Sequence, residues 1–267
     1  MPLIIEPDEL EALLDKPDLV IVDLCKAKQY AQAHITGAHF VSYADIIHNE
    51  KPVMGLLPDA ATFSRLISAL GINARSHVIA YDDEGGGCAS RFIWTLHVFG
   101  HENTSLLNGG LHRWANEGHR LSGEVPTPAE ASSYALSNTG RYCADRPYIL
   151  QRLGDKNTVL LDARSAAEFG GEKKFADKAG HIPGAVHFEW TEAMDRNRNL
   201  RLLPDDLLEK RLAQLGISRD KEVICYCQSH HRSAFSYLML RHLGYENVKG
   251  YPGSWSDWGN QADTPVE

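Results

Sequence analysis

Two stretches of this sequence repeat one another and decide the fold: VIVDLCKAKQYAQAHITGAHF at residues 20–40 and VLLDARSAAEFGGEKKFADKAGHIPGAVHF at residues 159–188. Each begins with an apolar run that ends in an aspartate, Asp23 or Asp162, and each later reaches HITGA or HIPGA. Self-similarity of this kind indicates a duplicated structural unit. The two stretches therefore predict two copies of one domain in a single chain.

The repeat continues in the same order beyond these stretches. LLPDAATFSRLISALGI matches LLPDDLLEKRLAQLGI, VIAYDDEGGG matches VICYCQSHHR, and FGHENTSLLNGGLHRW matches LGYENVKGYPGSWSDW. Between the halves lies a stretch whose Gly, Ser, Thr and Pro content favours an ordered linker over a helix. We place the first domain at residues 1–124, the linker at residues 125–139 and the second domain at residues 140–267.

Each half alternates short apolar runs with amphipathic stretches. Runs rich in β-branched residues predict buried strands at residues 20–22, 78–80, 159–161 and 223–225. Apolar residues recur at helical spacing over residues 63–70 and 208–215, and Gly71 and Gly216 follow as C-terminal caps. This alternation predicts an α/β fold with two tandem domains, each a mostly parallel sheet flanked by helices on both faces.

Composition narrows the class of protein. The chain has 267 residues, a formal net charge of −8 and a hydrophobic fraction of 43%, which is typical of a globular protein long enough for two domains. The acidic balance argues against a general nucleic-acid or membrane partner. The start lacks the pattern of a signal peptide, and five cysteines favour a reduced, cytoplasmic protein. A fused pair of domains also needs no partner chain, so we expect a monomer.

The stretch ICYCQSHHRSAFSYL at residues 224–238 carries the candidate chemistry. We predict a strand over residues 222–227, a loop to Arg232 and a helix from Ser233, with a helical stripe that includes Phe235. Cys227 then lies at the carboxyl end of a strand and just before a helix, where open α/β sheets bind ligands. Loop N–H groups, the helix dipole and Arg232 would stabilise a thiolate or a bound anion.

Two other interpretations of this stretch stay open at the level of sequence. A cysteine at the end of a strand is often an inert, buried side chain, and Cys225, inside the apolar run, is expected to be one. A zinc site could use Cys225, Cys227, His230 and His231. However, Cys-x-Cys on a strand and His-His in a tight turn are not the spacings that structural zinc favours.

The loop CQSHHR at residues 227–232, together with DAR at residues 162–164 and GHIPGA at residues 180–185, resembles the rhodanese sulfurtransferases. The resemblance covers both halves, and it is strongest to tandem-domain bacterial thiosulfate sulfurtransferases with a CQ(S/T)HHR loop. It implies a thiosulfate:cyanide sulfurtransferase. In such an enzyme Cys227 takes the sulfane sulfur of thiosulfate as a persulfide and passes it to cyanide, a thiol or a sulfur-accepting protein, with ping-pong kinetics and no other cofactor.

The resemblance also implies roles for other residues of the second half. Arg164 matches an arginine that helps to bind the anionic donor, although a solvated surface arginine is the alternative. Arg232 is expected either to contact the substrate or to hold the loop through carboxylates. The rest of the predicted substrate-binding set is the loop Gln228, Ser229, His230 and His231. The two histidines either make the charge at the mouth of the site depend on pH or form a surface pair without a role.

The first half carries Asp82 where the second carries Cys227. An aspartate cannot hold a persulfide, so we expect the first domain to be catalytically silent. A non-enzymatic scaffold built of rhodanese modules is therefore one alternative function, although the intact loop of the second half does not fit it.

Two further alternatives concern the substrate. Mercaptopyruvate sulfurtransferases carry glycines in this loop that are missing here, which argues against 3-mercaptopyruvate as the preferred donor. Tyrosine phosphatases place five residues between their cysteine and arginine, whereas four separate Cys227 from Arg232. We expect the shorter loop to be too small for a phosphoryl group.

Overall fold

The computed structural model describes residues 1–127 and 130–267, and these form two compact units. Unit 1 comprises Met1–Ile47, Pro58–Thr139 and Asp195–Leu202, and unit 2 comprises His48–Leu57, Gly140–Met194 and Leu203–Glu267. The change of unit after Thr139 falls at the end of the predicted linker, of which Pro128 and Ala129 lie outside the described residues. Each half of the sequence thus gives one short segment to the other unit, which the repeat did not predict.

The strands are short. In chain order they are β1 (Ile4–Ile5), β2 (Leu19–Asp23), β3 (His34–Ile35), β4 (His39–Phe40), β5 (His48–Glu50), β6 (Val53–Leu56), β7 (His77–Tyr81), β8 (Thr104–Leu107), β9 (Leu121–Ser122), β10 (Thr158–Asp162), β11 (Val186–His187), β12 (Met194–Asp195), β13 (Arg201–Leu202), β14 (Glu222–Tyr226) and β15 (Val248–Gly250).

Helices alternate with these strands. They are α1 (Pro7–Glu11), α2 (Ala27–Gln32), α3 (Ala60–Ala69), α4 (Gly87–Val98), α5 (Gly110–Asn116), α6 (Arg146–Leu150), α7 (Ala166–Phe169), α8 (Asp205–Gln214), α9 (Arg232–His242) and α10 (Ser254–Trp258), with 3₁₀ turns at Tyr43–Ile46 and Trp190–Ala193. No helix within residues 1–127 and 130–267 combines the length and the apolar character needed to cross a bilayer.

Each unit is built on a parallel sheet. The strand order is β1-β8-β7-β2-β4 in unit 1 and β11-β10-β14-β15 in unit 2, and neighbouring strands in both sheets run parallel. The predicted strands appear as β2, β7, β10 and β14, each one residue longer at both ends than predicted. Parallel strands need crossover connections, which the helices supply. The predicted α/β class with two tandem domains is confirmed.

The repeated HITGA and HIPGA motifs have the same structural role in both units. The backbone N–H of Ile35 donates to the Tyr81 hydroxyl at 3.0 Å, and that of Ile182 donates to the Tyr226 hydroxyl at 3.2 Å. Each tyrosine ends the strand that pairs with the aspartate-ending strand. The motif is therefore fastened to the carboxyl edge of its sheet, and the residue that follows the tyrosine at that edge is Asp82 in unit 1 and Cys227 in unit 2.

The segment around Cys227 differs from the prediction in two details. Strand β14 ends at Tyr226, so Cys227 is the first residue after it, and α9 already begins at Arg232. The predicted helix is confirmed, but it is not one-sided, because every residue from Ser233 to Leu240 is buried. A helix enclosed in this way carries little amphipathic signal, which is why a stripe of apolar residues described it only in part.

Candidate active site

Cys227 lies where a strand ends and a loop begins, and it is 1% exposed. Two residues earlier, Cys225 is fully buried within β14, and burial, the largest cause, raises the pKa of its thiol. The prediction that Cys225 is a packing residue is confirmed. The two cysteines therefore differ in chemistry although they are separated by one residue.

The surroundings of Cys227 favour its thiolate. Burial acts to raise the pKa of this thiol, but the charge of Arg232 and hydrogen bonds outweigh burial, so the pKa lies below its ordinary value. The hydrogen bonds come from the hydroxyl and backbone N–H of Ser233 and from the backbone N–H of Ser229. Ser233 lies in the first turn of α9, where backbone N–H groups have no partner within the helix. Ser233 was not among the predicted site residues.

The loop backbone is held in one orientation by the start of α10. The N–H of Trp255 donates to the Cys227 carbonyl at 3.0 Å, and the N–H of Ser256 donates to the Gln228 carbonyl at 2.9 Å. The Ser254 hydroxyl accepts from the Cys227 N–H at 3.2 Å. Because the N–H and C=O of one planar trans peptide point in opposite directions, carbonyls fixed on α10 leave the following N–H groups on the other side of the loop.

Arg232 is paired with a carboxylate that sequence reasoning missed. Its guanidinium donates to both oxygens of Glu168, at 2.7 and 2.8 Å. Glu168 also accepts from the backbone N–H and the hydroxyl of Ser165, in the capping box of α7. The spacing Ser-x-x-Glu was a visible sequence signal for that cap. The geometry favours the expectation that Arg232 holds the loop through a carboxylate, and direct substrate contact stays a prediction.

This ion pair fixes both charges. Burial would raise the pKa of the Glu168 carboxyl, but the hydrogen bonds and charge of Arg232 dominate and lower it to about 2. Burial would lower the pKa of the Arg232 guanidinium, but the hydrogen bonds that it donates to Glu168 and the negative charge of the nearby Cys227 raise it. Arg232 is therefore a permanent cation beside the Cys227 sulfur.

Arg164 is buried rather than solvated, so the surface alternative is wrong. Its guanidinium donates to Asp162 at 2.6 to 3.0 Å and to the Gly180 carbonyl at 2.8 Å. The guanidinium also lies over the Trp255 ring, 4.4 Å from its centroid. These contacts tie the GHIPGA loop to the end of β10. They favour a structural role, and contact between Arg164 and a donor stays a prediction.

The adjacent histidines have different environments. His230 is fully buried in the left-handed region, with φ of +55°, and its Nδ1 lies 2.8 Å from the Ser233 hydroxyl. His231 is half-buried and its ring contacts Trp190 edge to face, with 5.8 Å between centroids. The interpretation of both residues as a surface pair is wrong for His230. Left-handed backbone at a non-glycine residue is costly and often marks functional sites.

Gln228 and Ser229 are the other two predicted binding residues, and they make different contacts within the loop. The Gln228 side-chain amide donates to the Phe175 carbonyl at 3.2 Å. Ser229 contributes its backbone N–H to the Cys227 sulfur. Both residues lie in the loop as predicted, and their contact with a substrate stays a prediction.

The corresponding loop of unit 1 is occupied by its own side chain. The Asp82 carboxylate accepts from the backbone N–H groups of Glu84, Gly86 and Ala89 at 3.0, 2.7 and 3.0 Å. The Asp82 carbonyl accepts from the N–H of Leu111 at 3.0 Å, as the Cys227 carbonyl does from Trp255. Burial, the largest cause, raises the pKa of Asp82, and the three N–H groups act in the opposite direction. The loop of unit 1 is thus an anion cradle filled by an internal carboxylate.

The fold and this site together define an α/β protein with a cysteine of lowered pKa that lies among the N–H and O–H donors of one loop and helix start. The model of the rhodanese-like domain matches residues 6–117 and 145–261. The chain therefore belongs to the rhodanese family, as its motifs predicted.

The chain is similar along its whole length to bacterial proteins of this family. It is 48% identical to the thiosulfate sulfurtransferase of Azotobacter vinelandii and 47% identical to that of Pseudomonas aeruginosa, covering 100% of this chain and 97% of each relative. Among solved structures, SseA from Escherichia coli, described as a 3-mercaptopyruvate sulfotransferase, is similar with a TM-score of 0.84 and 29% identity. That match covers 96% of this chain and 99% of SseA.

Replacing Ser233 with alanine should make Cys227 less acidic. Ser233→Ala removes one hydroxyl donor to the thiolate, and a hydrogen bond to a charged group is worth about 1.5–3 kcal/mol. We expect the alkylation rate of Cys227 at pH 7 to fall about tenfold. The measurement is the pH–rate profile with iodoacetamide, read at the Cys227 peptide by mass spectrometry. Ser236→Ala is the control, because Ser236 lies buried in the same helix and its hydroxyl has no hydrogen-bond partner among the described residues. Equal profiles for the two variants would contradict the role of Ser233.

Replacing Glu168 with glutamine should change stability in acid. The carboxyl pKa is lowered from 4.5 to about 2, so its stabilising effect is complete above about pH 4.5 and is lost as the pH falls toward 2. We expect Glu168→Gln to lower Tm at pH 7 by about 4 °C or more and to make the decline from pH 4.5 to pH 2 shallower. Thermal unfolding across this pH range measures both effects.

The control for that experiment is Glu209→Gln, which removes a solvent-exposed pair with Arg219. Exposed pairs contribute little, so its Tm should change by less than about 2 °C. A Glu168→Gln variant that behaves like Glu209→Gln would show that the buried pair does not stabilise unit 2.

Proposed function

We propose that this protein is a thiosulfate sulfurtransferase that carries sulfur as a persulfide on Cys227. The observation that carries the proposal is a buried cysteine whose pKa is lowered by Arg232 and by N–H and O–H donors of one loop and helix start. Such an environment suits a thiolate nucleophile and a sulfur anion in the same place. The names of the relatives at 47–48% identity support thiosulfate as the donor.

In the first half-reaction the Cys227 thiolate attacks the outer sulfur of thiosulfate. A new S–S bond forms to Cys227, the original S–S bond of thiosulfate breaks, and its electron pair leaves with sulfite. One thiolate and one thiosulfate dianion thus give one persulfide anion and one sulfite dianion, without proton transfer. The backbone N–H groups of the loop and the first turn of α9 can stabilise the terminal sulfur, as an oxyanion hole stabilises an oxygen anion.

In the second half-reaction a nucleophilic acceptor takes the outer sulfur. Cyanide attacks it, the persulfide S–S bond breaks, and the electron pair returns to Cys227 as thiolate while thiocyanate leaves. A low-molecular-weight thiol or a protein cysteine would act in the same way. Since the sulfur is held covalently between the two steps, no further cofactor is needed and ping-pong kinetics are expected.

We propose that unit 1 does not take part in covalent catalysis. Its cradle holds the Asp82 carboxylate on three N–H groups, so a second anion would have to displace a covalently attached one. A carboxylate is also a poor nucleophile toward sulfane sulfur.

3-Mercaptopyruvate is the second candidate donor, because SseA is similar to this chain over almost its full length. Both donors would deliver sulfur to the same Cys227. The ratio of kcat/KM for thiosulfate and for 3-mercaptopyruvate decides between them, and a higher value for 3-mercaptopyruvate would reverse our assignment.

We further propose that the protein acts as a monomer in the cytoplasm, without nucleic-acid or membrane partners. The acidic net charge of −8 supports the absence of nucleic-acid and membrane partners. Cys25, Cys225 and Cys227 are thiols in the structure, which suits a reducing compartment.

The persulfide is tested directly by intact-protein mass spectrometry. Incubation with thiosulfate should add the mass of one sulfur atom, and cyanide should then remove it with release of thiocyanate. Cys227→Ser should abolish both changes, whereas Cys225→Ser should retain sulfur transfer because Cys225 is a packing residue. Sulfur transfer by Cys227→Ser at the wild-type rate would overturn the proposal.

A further inference from the structure

A hairpin from the first half of the sequence belongs to unit 2. Strands β5 and β6 pair antiparallel within residues 48–57. The hairpin is attached to α10, because the N–H of Met54 donates to the Ser256 hydroxyl at 2.8 Å. Ser256 is also the residue whose N–H holds the Gln228 carbonyl. The hairpin and the catalytic loop therefore share one support.

The hairpin touches the catalytic loop at Gly55. A Cβ built on Gly55 would lie 2.1 Å from the Ser229 carbonyl oxygen and 2.9 Å from the carbonyl carbon, closer than real Cβ atoms approach. Gly55 also has a φ of +71°, and its N–H donates to the Asn49 side chain at 2.8 Å. The lack of room for a Cβ atom and the left-handed backbone conformation therefore both require glycine at position 55.

The position of Ser229 matters to the nucleophile. Its backbone N–H is one of the donors that lower the pKa of Cys227. The two preceding carbonyls, of Cys227 and Gln228, are fixed by α10, and the Ser229 carbonyl is the next along the loop and lies against Gly55. The hairpin thus supports the part of the loop that α10 does not reach.

We propose that Gly55 is a positioning residue for sulfur transfer. The α10 contact orients the peptide that carries the Ser229 N–H, and Gly55, which lies against the Ser229 carbonyl, keeps the rest of this residue from drawing that N–H away from the Cys227 sulfur. The consequence for sulfur transfer rests on the proposed function, whereas the effect on the thiol does not. The hairpin also gives the first half of the sequence a role in catalysis although its own cradle is filled by Asp82. The catalytic unit is incomplete without residues 48–57.

The test compares two glycine substitutions with the same backbone strain. Gly55 and Gly216 both have a φ of +71° and both lie in unit 2, but nothing lies within 4 Å of a Cβ on Gly216. Gly55→Ala should shift the iodoacetamide pH–rate profile of Cys227 to higher pH and lower the rate at pH 7 about fivefold. It should also slow persulfide formation with thiosulfate. Gly216→Ala should leave the profile and the rate of persulfide formation at wild-type values, although both variants lose stability.

A second variant covers the case in which Gly55→Ala does not fold. Asn49→Ala removes the acceptor of the Gly55 N–H without adding atoms beside the loop, and it should shift the profile in the same direction by a smaller amount. Wild-type profiles for the folded Gly55→Ala and for Asn49→Ala would overturn the positioning role. If wild-type protein forms no persulfide with thiosulfate but the profile still shifts, the proposed function fails and the positioning role stands.

Discussion

The site depends on the hydrogen bonds that hold the carbonyls of Cys227 and Gln228 on the start of α10. A planar peptide cannot turn its carbonyl one way without turning its N–H the other. Fixing the carbonyls therefore fixes the donors that surround the sulfur. The anion-binding property of the loop is in this sense a consequence of backbone geometry, and side chains adjust it. Ser233 adds a hydroxyl and Arg232 adds a full charge. Together with the backbone N–H groups, these outweigh the cost of burying a thiolate.

The two halves of the chain use the same backbone cradle for different anions. In unit 1 the Asp82 carboxylate satisfies three N–H groups and leaves no need for an outside ligand. In unit 2 the corresponding side chain is the Cys227 thiol, and under the proposed function it gains one sulfur atom as a persulfide and becomes a thiolate again when that sulfur is passed on. Glu168 keeps Arg232 in place and neutralises part of its charge. Arg232 thus favours a sulfur anion from a position that Glu168 holds.

The sequence predicted the fold and the place of Cys227 between a strand and a helix well, because both give local sequence patterns. The four strands are continuous apolar runs, and the repeat places Asp82 opposite Cys227. Contacts that join distant parts of the chain could not be predicted in this way. No local spacing pattern predicts that Glu168 pairs with Arg232 or that Gly55 contacts Ser229, because these residues are far apart in the sequence. Only the helix cap formed by Ser165 and Glu168 had a recognisable sequence pattern, Ser-x-x-Glu. The sequence also does not predict the left-handed backbone at His230. That conformation accompanies the burial of His230, whereas the neighbouring His231 is half-buried.

The most direct test of the account is the ionisation of Cys227 itself. Ultraviolet absorbance of the thiolate, titrated in wild-type protein and in Cys227→Ser, gives the difference that belongs to this one residue. We predict a difference titration with a midpoint below the ordinary thiol value of ~8.5, because loop and helix donors and Arg232 stabilise the anion. A midpoint at or above that value would contradict the account, since burial would then outweigh every donor that the loop supplies.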